Sequence, residues 1–188
     1  MRGGAPDALD LMVAANFGRG FGSSTYTPVY FGTIEPDGGA RTHLLLDHSY
    51  TGTGGMRWRG SSSLGFAKKN FNLEVYDDYG REEDVPFFSM PDGSDWVLHG
   101  PYSDKTLMRN YLAYAFSNQI GRYAVRTRFI ELFLSSSTAG NIVQSDYQGV
   151  YVAMERIKRG PDRVPVRPVY ASETQEPEVS GGYILKID

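Results

Sequence analysis

Between residues 69 and 76 the chain alternates without a break: Phe71, Leu73 and Val75 fall on one side, Asn70, Asn72 and Glu74 on the other. A two-residue period is what a strand needs when one face is buried and the other is wet. Further β-rich runs lie at 27–34 (TPVYFGTI), 55–59, 95–99 (DWVLH), 125–134 and 147–157. In the run 55–59, Met56 and Trp58 share one face, Arg57 and Arg59 the other. Glu-Pro-Asp-Gly-Gly after residue 34 is a strong turn signal, so 41–47 is expected to pair with 27–34 as a hairpin.

One segment reads as a helix, residues 105–120. Ser103 or Asp104 is placed to cap its start and Gly121 to end it. Met108, Leu112, Phe116 and Ile120 recur every four residues, with Leu107, Tyr111 and Ala115 beside them. That spacing predicts a broad apolar face packed on a sheet. The expected class is therefore α+β, a mostly antiparallel sheet with one principal helix. Its domain spans 25–188, and residues 1–24, loose and Gly-rich around a short apolar stretch, read as a linker or tail. Residues 77–94 are turn-rich with an apolar patch at 85–90, and 159–180 read as a long Pro-, Glu- and Arg-rich excursion. The apolar finish at 181–188 reads as a strand belonging to something longer.

Composition removes several function classes. With 40% apolar residues among 188, a substantial core is available. A net charge of −3 gives no footprint for nucleic acid or an anionic membrane. There is no cysteine, which excludes disulfides, thiolate metal sites and a thiol nucleophile. No apolar run approaches the roughly 20 residues a membrane-spanning helix needs, and the start lacks the apolar stretch of a signal peptide. His43, His48 and His99 show no metal-ligand spacing and are expected to be solvated or hydrogen-bonded. No Gly-x-Ser-x-Gly elbow is present.

The segment 56–75 holds the most chemistry: a strand, a Gly/Ser turn, then a strand opened by Lys68 and Lys69. A turn with free backbone N–H groups, the hydroxyls of Ser61, Ser62 and Ser63, and nearby Arg59 and lysines suits phosphate oxygens. It is not a Walker A loop, because the Gly-Lys-Ser/Thr ending and following helix are missing. The plain alternative is a polar hairpin with solvated lysines. By parity Lys69 shares the face of Phe71, Leu73 and Val75, and a lysine there needs an anion. Lys69 is thus the candidate nucleotide contact, with Lys68 on the other face. Glu131 and Glu155 are carboxylates that would complement it, or are ordinary structural ion pairs.

The order of motifs is more specific than any one of them. Arg-Gly-Ser-Ser-Ser-x4-Lys-Lys-x-Phe (59–71) is followed by Asp-Trp-Val-Leu (95–98) and Ser-Asp-Lys-Thr-Leu-Met-Arg-Asn (103–110). Then come Arg-Thr-Arg-Phe-Ile-Glu-Leu-Phe-Leu (126–134), Gly-Val-Tyr-Val-Ala-Met-Glu-Arg-Ile-Lys (149–158) and Gly-Gly-Tyr-Ile-Leu-Lys-Ile-Asp (181–188). This succession resembles the CotH kinase family over about residues 27–188. The resemblance implies the N-terminal portion of an atypical protein-kinase-like fold, and transfer of the ATP γ-phosphate to Ser/Thr of coat or surface proteins with Mg or Mn. It implies Lys69 or Lys68 as the phosphate lysine, the turn of Arg59, Ser61 and Ser62 near the phosphates, and Glu131 as a possible partner of the lysine. It makes Met154 and Glu155 part of a hinge holding the adenine edge. It also implies a protein substrate rich in Ser/Thr and a spore-coat, cell-surface or secreted location. The family's catalytic carboxylates are expected beyond Asp188, so no catalytic or metal residue is assigned. The competing reading is a non-catalytic structural module of a coat, envelope or secreted surface protein.

Overall fold

The computed structural model describes residues 9–35, 42–138, 141–180 and 182–185. Seven strands close into a barrel in the order β1-β2-β3-β4-β7-β9-β8. They are β1 (Asp10–Ala15), β2 (Thr27–Ile34), β3 (Tyr50–Arg59), β4 (Asn70–Tyr76), β7 (Asp95–His99), β8 (Thr127–Ser135) and β9 (Tyr147–Glu155). Between β4 and β7 lies a separate two-stranded hairpin, β5 (Val85–Phe87) and β6 (Met90–Gly93). The single α-helix among the described residues, α1 (Arg109–Gln119), precedes β8. All neighbouring barrel strands are antiparallel except β1 and β8, which pair in parallel from Asp10↔Ile130 to Ala15↔Ser135 and close the circle.

The period-2 pattern now has a clear cause. Every barrel strand sends apolar side chains into one interior: Met12, Phe31, Met56, Leu73, Leu98, Tyr151 and Ile130 are all essentially without solvent exposure. One end of the barrel is plugged by the β5–β6 hairpin. Its Phe87 ring packs 6.3 Å from Phe31 and 4.7 Å from Trp96, and Phe88 and Met90 join the same core. Phe21, from the β1–β2 connection, packs edge-on to Phe71 at 5.4 Å.

This architecture corrects the expected class. The described residues are mostly strand, built as a closed seven-stranded barrel with a single α-helix, and not a kinase-like α+β fold. The reason is where the apolar faces go: a sheet that closes on itself buries its inner face without a helix. Accordingly α1 does not form the core, and none of its residues is buried. Tyr111 stacks on Phe129 at 4.9 Å, and Tyr114 joins a small outer cluster of Val97, Val125, Val152 and Met154. Met108, Phe116 and Ile120, expected against the sheet, are exposed. The helix is also shorter at its start than expected. Met108 occupies the cap position, while Asp104 reaches across to accept a hydrogen bond from the Arg109 N–H at 2.9 Å.

Two local expectations also change. Residues 10–15, read as part of a linker, form β1 and complete the barrel. The expected partner of β2 over 41–47 is displaced by β3, which pairs with it from Thr27↔Met56 to Thr33↔Tyr50; residues 44–46 form a turn. Residue 41, and residues 181 and 186–188 of the expected last strand, lie outside the described residues; 182–185 adopt no regular structure. No helix among the described residues is long and apolar enough to cross a membrane.

Burial separates two substitutions sharply. Leu132, fully buried on the strand that seals the barrel, should cost about 2–5 kcal/mol when replaced by alanine. Phe116→Ser on the exposed helix face should stay within about 0.5 kcal/mol. Urea denaturation of both variants measures this, and similar losses in the two would contradict an interior confined to the barrel.

Candidate functional site

The two ends of the barrel differ in chemistry. At one, called the mouth here, β3 ends in Arg59, β4 begins at Asn70 and β7 ends in His99. The β3–β4 connection crosses it as a single 3-10 turn, Ser62–Gly65, followed by Lys68 and Lys69. Gly60 makes that connection possible. Its φ is +128°, and a Cβ there would stand 1.9 Å from Ser63 Oγ, so no other residue fits without rearrangement.

Asn70 organises the mouth. Its side chain is buried at the start of β4. Oδ1 accepts the Gly100 N–H at 2.8 Å and lies 3.0 Å from His99 Nδ1, while Nδ2 donates to Ser63 Oγ at 3.3 Å. A backbone N–H is always a donor, so the atom facing it is the amide oxygen. His99 Nδ1 must then carry its proton, which leaves Nε2 as the free acceptor of a neutral ring. Gly100 is required by crowding: a Cβ would lie 2.9 Å from both the Lys69 carbonyl oxygen and Tyr151 Cε1, and 3.0 Å from Lys68 Cγ.

The two lysines lie on either side of this centre. Lys68 Nζ donates to the Val150 carbonyl at 2.5 Å and lies 4.6 Å over the Tyr151 ring. Burial pulls its pKa below the ordinary lysine value. Lys69 Nζ donates to the Leu64 carbonyl at 2.6 Å and lies 5.4 Å over Trp58. Arg59 is exposed beside them. Among the described residues, Arg59, Lys68 and Lys69 have no carboxylate within ion-pair distance. Three cations without an anion, two of them half-buried, form a site of positive potential with N–H donors to spare.

Five of the residues singled out from sequence meet at this mouth: Arg59, Ser61, Ser62, Lys68 and Lys69. The other three do not join them. Glu131 sits on β8, separated from β4 by β7 and β9, and accepts the Tyr147 hydroxyl at 2.7 Å. Burial, and then Glu131, push the Tyr147 pKa up to about 12. Met154 and Glu155 end β9 at the opposite, plugged side of the barrel. There Glu155 is fully buried and bound by Arg126 at 2.7 Å and Arg163 at 2.6 Å. Neighbouring Asp95 is held by Arg156 at 2.9 Å and Lys158 at 2.7 Å. Lys69 and Glu131 are thus not an ion pair, and the Met154–Glu155 segment is part of an ion-pair network away from the lysines.

Sequence reasoning passed over Asn70 and Gly100, and read His99 only as solvated or hydrogen-bonded. A signal for Asn70 was present: an amide immediately after two lysines, at the first position of a strand, where side-chain bonding to a neighbouring loop is common.

The Glu155 network has a measurable consequence. Glu155→Ala leaves Arg126 and the buried Arg163 without their anion and should cost about 3–5 kcal/mol in denaturant unfolding. Because the network lies at the far end from the lysines, anion binding by the folded variant should be unchanged.

Two comparisons with known proteins bear on this geometry. The family model described as CotH kinase protein matches residues 56–188, a span that includes Arg59, Lys68, Lys69, Asn70 and His99. No curated protein matches the chain.

Proposed function

Because the chain belongs to the CotH kinase protein family, we propose that its barrel mouth binds the phosphates of ATP in a transfer of the γ-phosphate to Ser/Thr of a protein substrate. The observation that carries this reading is the set of three unpaired cations, Arg59, Lys68 and Lys69, around the buried Asn70. Phosphoryl transfer depends on positioning and on neutralising charge at the phosphate oxygens. Lys68 and Lys69 each make one hydrogen bond to a carbonyl oxygen, which fixes the ammonium and leaves further N–H donors for an anion. Arg59 adds a planar fork suited to two phosphate oxygens. Ser61 and Ser62 offer exposed hydroxyls on the rim.

These residues fit a nucleotide's phosphates. ATP, when bound, supplies the phosphoryl group; the chain's residues hold its oxygens and screen their charge. The divalent metal implied by the family is a different matter. Among the described residues there is no group of three or more His, Asp or Glu suited to a metal ion, so none is assigned to Mg or Mn. The exposed side of the mouth is where a Ser/Thr-bearing segment would approach the γ-phosphate. A coat or surface protein is the substrate class that the family resemblance suggests.

Calorimetry with ATP, in the presence and absence of Mg²⁺ or Mn²⁺, tests the binding half of this reading. Removing one charge-assisted hydrogen bond costs about 1.5–3 kcal/mol, so Lys68→Ala and Lys69→Ala should each weaken ATP about tenfold to a hundredfold. ATP affinity unchanged in both variants would overturn the assignment of the mouth. Transfer of labelled γ-phosphate to a Ser/Thr-rich protein, measured on a chain continued past Asp188 into the segment where the family's catalytic carboxylates are expected, and lost in the same variants, tests the catalytic half.

A further inference from the structure

His99 is the one group at the mouth whose charge can change near neutral pH, and its surroundings define what that change would do. Its Nδ1–H is committed to Asn70, which is itself held by Gly100 and Ser63. Its Nε2 has no partner among the described residues. The ring is only partly exposed, at the end of β7. The charged groups that act on it come from three elements: Arg59 from the end of β3, Lys68 from the segment before β4, and Asp104 from the loop before α1. Burial acts first to hold the ring neutral, Arg59 and Lys68 add to that, and Asp104 opposes them. Asp104 is also engaged elsewhere, by Thr106 and by the Arg109 N–H.

We infer that His99 is a proton-linked contact for the anion: a tetrahedral dianion bound at the mouth draws a proton onto His99 Nε2. This rests on the phosphate-site reading given above. A dianion beside Arg59 and Lys68 neutralises the two cations that oppose the imidazolium, and supplies an oxygen for the new Nε2–H to bond. The balance is simple. One proton is taken from solvent, no bond other than Nε2–H is made, and the Asn70 bond is kept because Nδ1 is a donor in both states. By linkage, binding must tighten as pH falls through the range where the free His99 is neutral and the bound one is protonated. Neutral His99 therefore favours the empty mouth and the imidazolium favours the loaded one, so local acidity tunes how strongly the site holds phosphate.

Inorganic sulfate is the probe of choice, because it is a tetrahedral dianion that does not titrate between pH 5.5 and 8. Its affinity should rise as pH falls across that range, by up to about tenfold if binding lifts the His99 pKa by about one unit. Calorimetry in two buffers of different ionisation heat should show net proton uptake. His99→Gln retains an amide donor for Asn70 but cannot be protonated, so its sulfate affinity should be flat with pH. In the wild type, the NMR titration of the His99 ring should move upward when sulfate is added. His43 and His48, on the loop at the opposite end of the barrel, serve as internal controls. Sulfate binding that is independent of pH, a slope that survives in His99→Gln, or a His99 titration unmoved by sulfate would overturn the inference and leave the anion site standing. Failure of both sulfate and ATP to bind the wild-type protein would overturn the phosphate site itself, and this inference with it.

Discussion

The parallel pairing of β1 with β8 is the constraint on which the rest of the molecule depends. Without it the strands would form an open sheet with two edges and an apolar face in need of cover. With it, each backbone edge is satisfied and the apolar face turns inward. Met12, Ile130 and Leu132 meet across that seam, and the side chains of all seven strands share one core. The closure is bought by ordering a short segment, residues 10–15, between two glycine-rich stretches.

Closure also sorts the chemistry. Strand ends that are distant in sequence become neighbours around each rim. At the plugged rim, carboxylates and cations occur together and neutralise one another: Glu155 with Arg126 and Arg163, and Asp95 with Arg156 and Lys158. At the mouth, Arg59, Lys68 and Lys69 have no carboxylate within ion-pair distance among the described residues, and the hydrogen bonds of Asn70 fix the loop that presents them. One rim thus pairs its buried carboxylates with cations, and the other leaves three cations without an ion-pair partner. That asymmetry, more than any single motif, distinguishes a structural ion network from a binding site.

Much of the local structure was readable from residue patterns. The alternation at Phe71, Leu73 and Val75, the run at 27–34 and the run at 95–99 each became a strand, and Phe71, Leu73, Val75, Val29, Phe31, Trp96 and Leu98 from them lie in the barrel core. Parity also located Lys69 near the core-facing side, where its ammonium lies over Trp58 at the barrel's edge. The helix shows the limit of such patterns. Its four-residue spacing of Met108, Leu112, Phe116 and Ile120 is a real apolar stripe, but a pattern says only that a face is apolar, not that a partner is present. Glu131 and Glu155 show the same limit for charge, since a carboxylate on one strand does not say which strands stand opposite.

What the sequence determined by itself is six of the barrel strands (β2, β3, β4, β7, β8 and β9), the helix, the cationic Gly/Ser connection and the family. These follow from short-range periodicity, turn chemistry and the order of motifs, all of which are written along the chain. Only the tertiary structure decided that the sheet closes, that residues 10–15 seal it, and that His99 and Asn70 stand with the lysines while Glu131 and Glu155 do not. Those outcomes depend on pairings such as Leu11↔Glu131, between residues far apart in the chain. Their free energy comes from burying one shared core, which is a property of all the strands together and of none singly.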